Sequence, residues 1–212
     1  MIDTRAARPR SRRSIRAAVL AATVVVAGTT LAGALAAGSS SGERVLLPTL
    51  RGIPGIGVPG EVGEGDGVLP SGTTVADDRY PGVGRLDPEL LGALRRAASA
   101  AAAEGIEFEV TSGWRSAAYQ DQLLAEAVVQ YGSREEAARW VATADTSAHV
   151  SGRAVDIGPW DASTWLGERG ADYGLCRTYD NEPWHYELLP EAVENGCPTP
   201  YADPTADPRM QG

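Results

Sequence analysis

Histidine occurs only twice in 212 residues, and each copy stands near a carboxylate. The first lies in Ser147-Ala148-His149-Val150-Ser151-Gly152-Arg153-Ala154-Val155-Asp156, the second in Glu182-Pro183-Trp184-His185. Imidazoles used so sparingly, one in a Gly/Ser-rich turn and one beside a tryptophan, are candidates for chemistry. Two imidazoles and one carboxylate supply three ligands to a zinc ion and leave a fourth position open for water, the pattern of a catalytic site rather than a structural one. His149, Asp156 and His185 are the candidate ligands. The same set accepts other divalent ions, with zinc favoured.

The spacing has to let these groups meet. His149 and Asp156 are seven residues apart, an odd offset that puts them on opposite faces of a straight strand. A turn at Ser151-Gly152 removes the objection, and the small Ala154, on the same face as Asp156, leaves room beside it. Pro183 disfavours helical geometry at Glu182. Glu182 therefore ends a loop and His185 enters a strand, so a metalloprotease helix is excluded. A carboxylate three residues before a ligand, on a backbone kinked at Pro183, can reach a metal-bound water without binding the metal, which is the position of a general base. Trp184 and Tyr186 are read as pointing away from His185, into the core. Arg115, in Ser112-Gly113-Trp114-Arg115-Ser116, follows a strand in a tight turn where the Trp114 ring can pack against it. A fixed guanidinium there can hold an oxyanion. The bland alternatives are a surface His, a solvated loop acid and an ordinary surface Arg.

Elements to carry these residues are visible around them. Asp87-Pro88-Glu89 combines an N-cap, a first-turn proline and a first-turn acid, and Leu90, Leu91, Leu94, Ala97 and Ala101 follow at helical spacing to a stop at Gly105. Ile106 to Thr111 alternates as a half-buried strand. Ser116 caps a second helix to about Tyr131, and Ser133 with Glu136 forms a capping box for a third, predicted to reach about Ala144. Arg153 to Ile157 reads as a strand and Asp161 to about Gly170 as a short helix. Short strands are expected near Cys176 to Tyr179 and from Trp184 to Leu189. Helices precede mostly antiparallel strands, so the class is α+β, helices packed on a small, mostly antiparallel sheet that carries the zinc site.

With these residues in order, the chain resembles the zinc D-Ala-D-Ala carboxypeptidase family of VanY type, part of a wider family with VanX dipeptidases and phage L-alanyl-D-glutamate endopeptidases. The resemblance rests on SGWRS with Gln120 five residues beyond Arg115, on SxHxxGxAxD from Ser147 to Asp156, and on ExxH as Glu182 to His185, over roughly residues 85 to 200. It implies that His149, Asp156 and His185 bind zinc, that Glu182 is the general base and that Arg115 stabilises the tetrahedral intermediate. Ser147 and Gln120 correspond to positions near the substrate. The implied substrate is the peptidoglycan stem peptide, trimmed of its terminal D-alanine. An endopeptidase on the same scaffold and a non-catalytic wall-binding module are the alternatives. A strict dipeptidase ranks lower, because no acid dedicated to a free amine is evident.

Composition bounds the rest. The chain has no lysine, and all 19 basic residues are arginine. Six arginines lie within the first 16 residues, and Ala17 to Gly38 carries no charge, which reads as a signal peptide or membrane anchor over residues 1–38. Ala34-Leu35-Ala36 offers a cleavage site, and the apolar run is also long enough to span a bilayer. Either way the remainder is expected to be exported, secreted or held at the membrane facing the wall, as a monomer. The first 36 residues, with six Arg and one Asp, carry +5, so the remainder carries −14 against −9 for the whole chain. Such an acidic body excludes nucleic acid as a partner. Residues 39–78 read as a Gly/Pro-rich linker with a short strand near Arg44 to Leu50, residues 79–200 as the catalytic domain, and 201–212 as a loose tail. Cys176 and Cys197, an even count in an oxidising compartment, are expected to form a disulfide.

Overall fold

The structure, a computed structural model, describes residues 62–210. The apolar leader and the strand expected near Arg44 to Leu50 lie outside these residues. Two short elements lead in: a 3-10 turn at Glu64–Asp66 and helix α1 (Pro81–Gly84). Helix α2 (Pro88–Ala102) starts where its cap predicts, with the Asp87 carboxylate accepting from the backbone N–H groups of Glu89 and Leu90. Its buried stripe is Leu90, Leu91, Leu94, Ala97 and Ala101. Strand β1 (Glu109–Ser112) follows, then α3 (Ala117–Tyr131), whose first turn is capped by the Ser116 hydroxyl accepting from Tyr119 N–H.

Strand β2 (Ala154–Gly158), helix α5 (Trp160–Arg169), strands β3 (Leu175–Arg177) and β4 (His185–Leu188) and helix α6 (Ala192–Asn195) complete the order after the short α4 (Arg134–Ala137). Among the described residues the strands form one four-stranded sheet, ordered β1-β2-β4-β3 and antiparallel throughout. One face carries Val110, Val155, Ile157 and Tyr186 into a core shared with Leu90 and Leu94 of α2 and Trp165 and Leu166 of α5. Phe108 meets Trp165 edge to face, and the Tyr186 hydroxyl, deep in this core, donates to the Ser163 carbonyl at 2.6 Å. The opposite face carries Asp156, His185 and Glu187. Asp156 stands directly across from His185, and Ala154 across from Glu187. Residues paired across antiparallel strands project to the same side, so this register alone places three polar side chains together.

Three expectations are corrected. The third helix stops at Ala137 rather than near Ala144, although the Ser133 hydroxyl caps it as expected. Only Ala137 of α4 is buried, so no apolar stripe carries the helix further, and the Ala142 carbonyl beyond it accepts from Gln120 Nε2. The described end of the expected linker, residues 62–78, is laid against the body. Asp66 accepts from both the N–H and the hydroxyl of Ser116, and Thr73 and Val75 are buried. The tail is also docked rather than loose. Two further 3-10 turns, Pro204–Ala206 and Pro208–Met210, lie beyond the Cys176–Cys197 disulfide, and Asp207 is completely buried. Charge pairing explains this: Arg139 binds Asp203, and Arg209 lies between Asp207 and Glu187.

Candidate metal centre

His149 sits in the turn that precedes β2. Its Nδ1–H donates to the Gly113 carbonyl at 2.8 Å, which fixes the tautomer and turns the Nε2 lone pair inward. Its own carbonyl accepts from Gly152 N–H and Arg115 N–H. Gly152 makes the turn possible. It has φ +72, and a Cβ there would stand 2.5 Å from the Arg85 carbonyl oxygen. The β2–β4 register brings up Asp156 and His185 beside the turn. His149 Nε2, His185 Nδ1 and Asp156 Oδ1 form a small triangle with edges of 3.2, 3.2 and 3.5 Å, and all three residues are buried. A tetrahedral zinc with ligands at about 2.0–2.1 Å spaces its ligand atoms roughly 3.3–3.4 Å apart. The donor set therefore fits the ion in type, number and spacing.

Glu182 stands just outside the triangle. Its Oε2 is 3.8 Å from His185 Nδ1, and its Oε1 is buried with no hydrogen-bond partner. Burial pushes its carboxyl up to about 7, partly offset by His185. Burial likewise pushes the His149 imidazole down, and the nearby Arg115 guanidinium adds to the effect. Burial also opposes ionisation of Asp156, but His149, His185 and Arg115 together outweigh it and hold its carboxyl well below the usual range. His185 goes the other way. Burial would lower it, yet its hydrogen bonds to Asp156 and Glu187 carry it up to about 9. Three acids crowded around two imidazoles thus hold one proton firmly, and a divalent cation would displace it.

Arg115 is anchored at all three nitrogens: Nε donates to the Ser112 hydroxyl at 2.7 Å, Nη1 to Gln120 Oε1 at 3.2 Å and Nη2 to Asp156 Oδ2 at 2.8 Å. Gln120 is buried and holds Arg115 in place while lining the cleft. Ser147 is buried and lines the same cleft. Trp114 does not pack on Arg115. Its ring lies against Arg85, 4.3 Å from the guanidinium carbon. Trp184 is also corrected: it is partly exposed on the cleft rim, whereas Tyr186 is core as expected.

The cleft encloses about 310 Å³ and runs from the metal-ligand triangle along α3. Its far end is walled by Tyr131 and Trp140, whose rings stack nearly parallel with centroids 5.7 Å apart. Tyr131, Trp140, Tyr179, Pro204 and Met210 were not singled out from sequence. The first two carried no signal beyond aromatic type, and the others belong to a strand end and a segment with no periodic pattern. Glu187 was also missed, although its position two residues beyond His185 on a strand puts it on the same face.

A family model described as VanY, D-alanyl-D-alanine carboxypeptidase, matches residues 84–191, half of the chain. The chain belongs to this family. Within it, a D-alanyl-D-alanine carboxypeptidase of Enterococcus faecalis is 32% identical over 130 residues, covering 50% of this chain and 48% of that protein. The chain thus spans about half the length of the curated relative it matches. Among solved structures, the VanY family supplies the vancomycin-resistance D,D-pentapeptidase VanY from a VanB-type cassette in complex with Zn(II), 27% identical, covering 53% of this chain and 80% of that one with a TM-score of 0.48. VanYB in complex with D-alanine-D-alanine is 29% identical, covering 52% and 74% with a TM-score of 0.49.

Proposed function

We propose that this VanY-family chain is an exported zinc metallopeptidase that removes the terminal D-alanine from peptidoglycan stem peptides. The observation that carries the reading is the convergence of His149, Asp156 and His185, with Glu182 beside them and its Oε1 unpartnered, at one end of the cleft. The family match and the curated relative support the substrate class. The basic start followed by a charge-free run from Ala17 to Gly38, together with the disulfide, supports placement outside the cytoplasmic membrane, secreted or anchored.

His149, Asp156 and His185 would hold the ion, which when bound polarises the peptide carbonyl and makes water a nucleophile near neutral pH. Glu182, raised to about 7 by burial, is matched to taking a proton from water and returning it to the leaving amine. Arg115 uses three of its five N–H donors on Ser112, Gln120 and Asp156, leaving two for the negative charge that develops on the carbonyl oxygen. Gln120 orients Arg115, and Ser147 lies where it can meet the substrate.

The test is mass spectrometry of a muropeptide precursor incubated with zinc-loaded protein. Loss of one D-alanine supports the carboxypeptidase. Internal cleavage indicates an endopeptidase, and an unchanged precursor indicates a wall-binding module. Glu182→Ala should retain zinc and lose turnover by about 10²–10⁴-fold. If it stays as active as the wild type, Glu182 is not the base.

A further inference from the structure

Beside the candidate metal centre five side chains close a ring, with Tyr179 and His185 on the cleft wall and Glu187 and Arg209 behind them. His185 presents Nδ1 to the metal-ligand triangle and Nε2 to Glu187 Oε1 at 3.4 Å. The Arg209 guanidinium grips both Glu187 oxygens, Nη1 to Oε2 at 2.6 Å and Nη2 to Oε1 at 3.1 Å. The same guanidinium binds Asp207 through Nε and Nη2. Asp207 Oδ2 accepts from the Tyr179 hydroxyl at 3.0 Å, and the Tyr179 ring returns to His185 with centroids 5.2 Å apart. Glu187, Asp207 and Tyr179 are buried. Arg209 therefore reaches His185 by two routes, one through a carboxylate and one through an aromatic ring.

We infer that Glu187 and Arg209 are positioning residues for the metal ligand His185, so that the C-terminal segment is a working part of the metal centre. This rests on the proposed zinc site. A carboxylate accepting from the free N–H of a metal-bound imidazole fixes the ring's tautomer and orientation and raises its donor strength. A bidentate guanidinium in turn fixes the plane of that carboxylate, which a lysine cannot do. The geometry matches each step: Glu187 lies on the His185 face of β4, two residues on, and Ala154 opposite leaves it space. The Cys176–Cys197 disulfide adds to the arrangement. Cys176 pairs with Glu187 across β3–β4, so the bridge launches residues 198–210 from beside the carboxylate that Arg209 must reach.

The experiment measures zinc affinity by chelator competition on full-length wild type, Glu187→Gln, Arg209→Met, and the double variant. Circular dichroism and a thermal melt accompany each variant, with titrations run well below the lowest Tm. Outer-shell partners of metal ligands typically change affinity by about 10–100-fold. Glu187→Gln, nearly isosteric, should weaken zinc about 10-fold while staying folded. Arg209→Met should weaken it similarly, and the double variant no more than the worse single, because Arg209 acts through Glu187. Wild-type affinity in folded Glu187→Gln, or losses that add in the double variant, would overturn the inference. Failure of the wild type itself to bind zinc would instead overturn the proposed function. Should Arg209→Met not fold, the Glu187→Gln titration alone decides.

Discussion

Gly152→Ala tests whether the His149 turn depends on a glycine. At φ +72 an L side chain carries a backbone cost of about 1–2 kcal/mol. The added Cβ would also stand 2.5 Å from the Arg85 carbonyl oxygen and 3.4 Å from Asp87 N. The near partner is main chain between α1 and α2, which the Asp87 N–H to Gly152 carbonyl bond of 2.8 Å holds in place. Relief therefore means moving the turn, and overpacking of that kind adds about 1–3 kcal/mol. The total is about 2–5 kcal/mol, and at about 2–4 °C per kcal/mol for a unit of this size the Tm should fall by roughly 4–20 °C. Gly196→Ala is the control: its φ is +75, but nothing lies within 4 Å of the added atom. It should show only the backbone cost. Because the His149 carbonyl is bonded to Gly152 N–H, the first variant should also weaken zinc binding, and the control should not. Equal Tm losses in the two variants, with zinc binding intact in both, would refute the reasoning.

Replacing Cys176 and Cys197 together by Ala should cost about 3 kcal/mol for a loop of this length, read as a lower urea midpoint at unchanged slope. A loss well under 1 kcal/mol would mean the tail's ion pairs hold the loop alone. Arg115→Met leaves Asp156 Oδ2 without its cation and should destabilise the metal-free protein by about 3 kcal/mol. Its turnover should fall by about 10²–10³-fold, and unchanged turnover would remove Arg115 from the chemistry. The pH dependence has a definite sign. His185 holds its proton up to about 9 against an ordinary 6.5, so its contribution to metal-free stability is full below pH 6.5 and lost as pH rises through 9. Apparent zinc affinity should climb over the same interval as the ion displaces that proton, and calorimetry in buffers of different ionisation enthalpy should detect the release.

The convergence of the candidate site was legible where its logic is local. A caps-and-stripe pattern such as Asp87 to Ala101 specifies its helix without help from the rest of the chain. The Glu182-to-His185 and His149-to-Asp156 spacings needed only a turn and a strand to be read. What escaped depends on partners distant in sequence. Arg209 and Glu187 are 22 residues apart and look like unremarkable charges until the chain folds. A Pro- and Asp-rich tail has the composition of a loose end, and nothing local shows that Asp207 will be completely buried. Trp114 adjoins Arg115 in sequence, but the fold packs its ring against Arg85. The third helix is shorter than its cap suggests: the Ser133 hydroxyl does accept from Glu136 N–H, but only Ala137 of α4 finds a buried site, so packing does not carry the helix on.

The pairing of Asp156 with His185 makes two of the three donors a product of strand registration, not of either strand alone. A one-residue slip between β2 and β4 would send one donor to the apolar side. Ion capture at the proposed site would therefore wait until these strands have zipped in the correct frame, which would make the polypeptide a coincidence detector for its own folding. Once seated, the cation would rivet positions 36 residues apart and, at a thousandfold excess over its dissociation constant, deepen the native well by about 4 kcal/mol. On the proposed function, scarcity of the metal would then erode the protein's lifetime as well as its turnover.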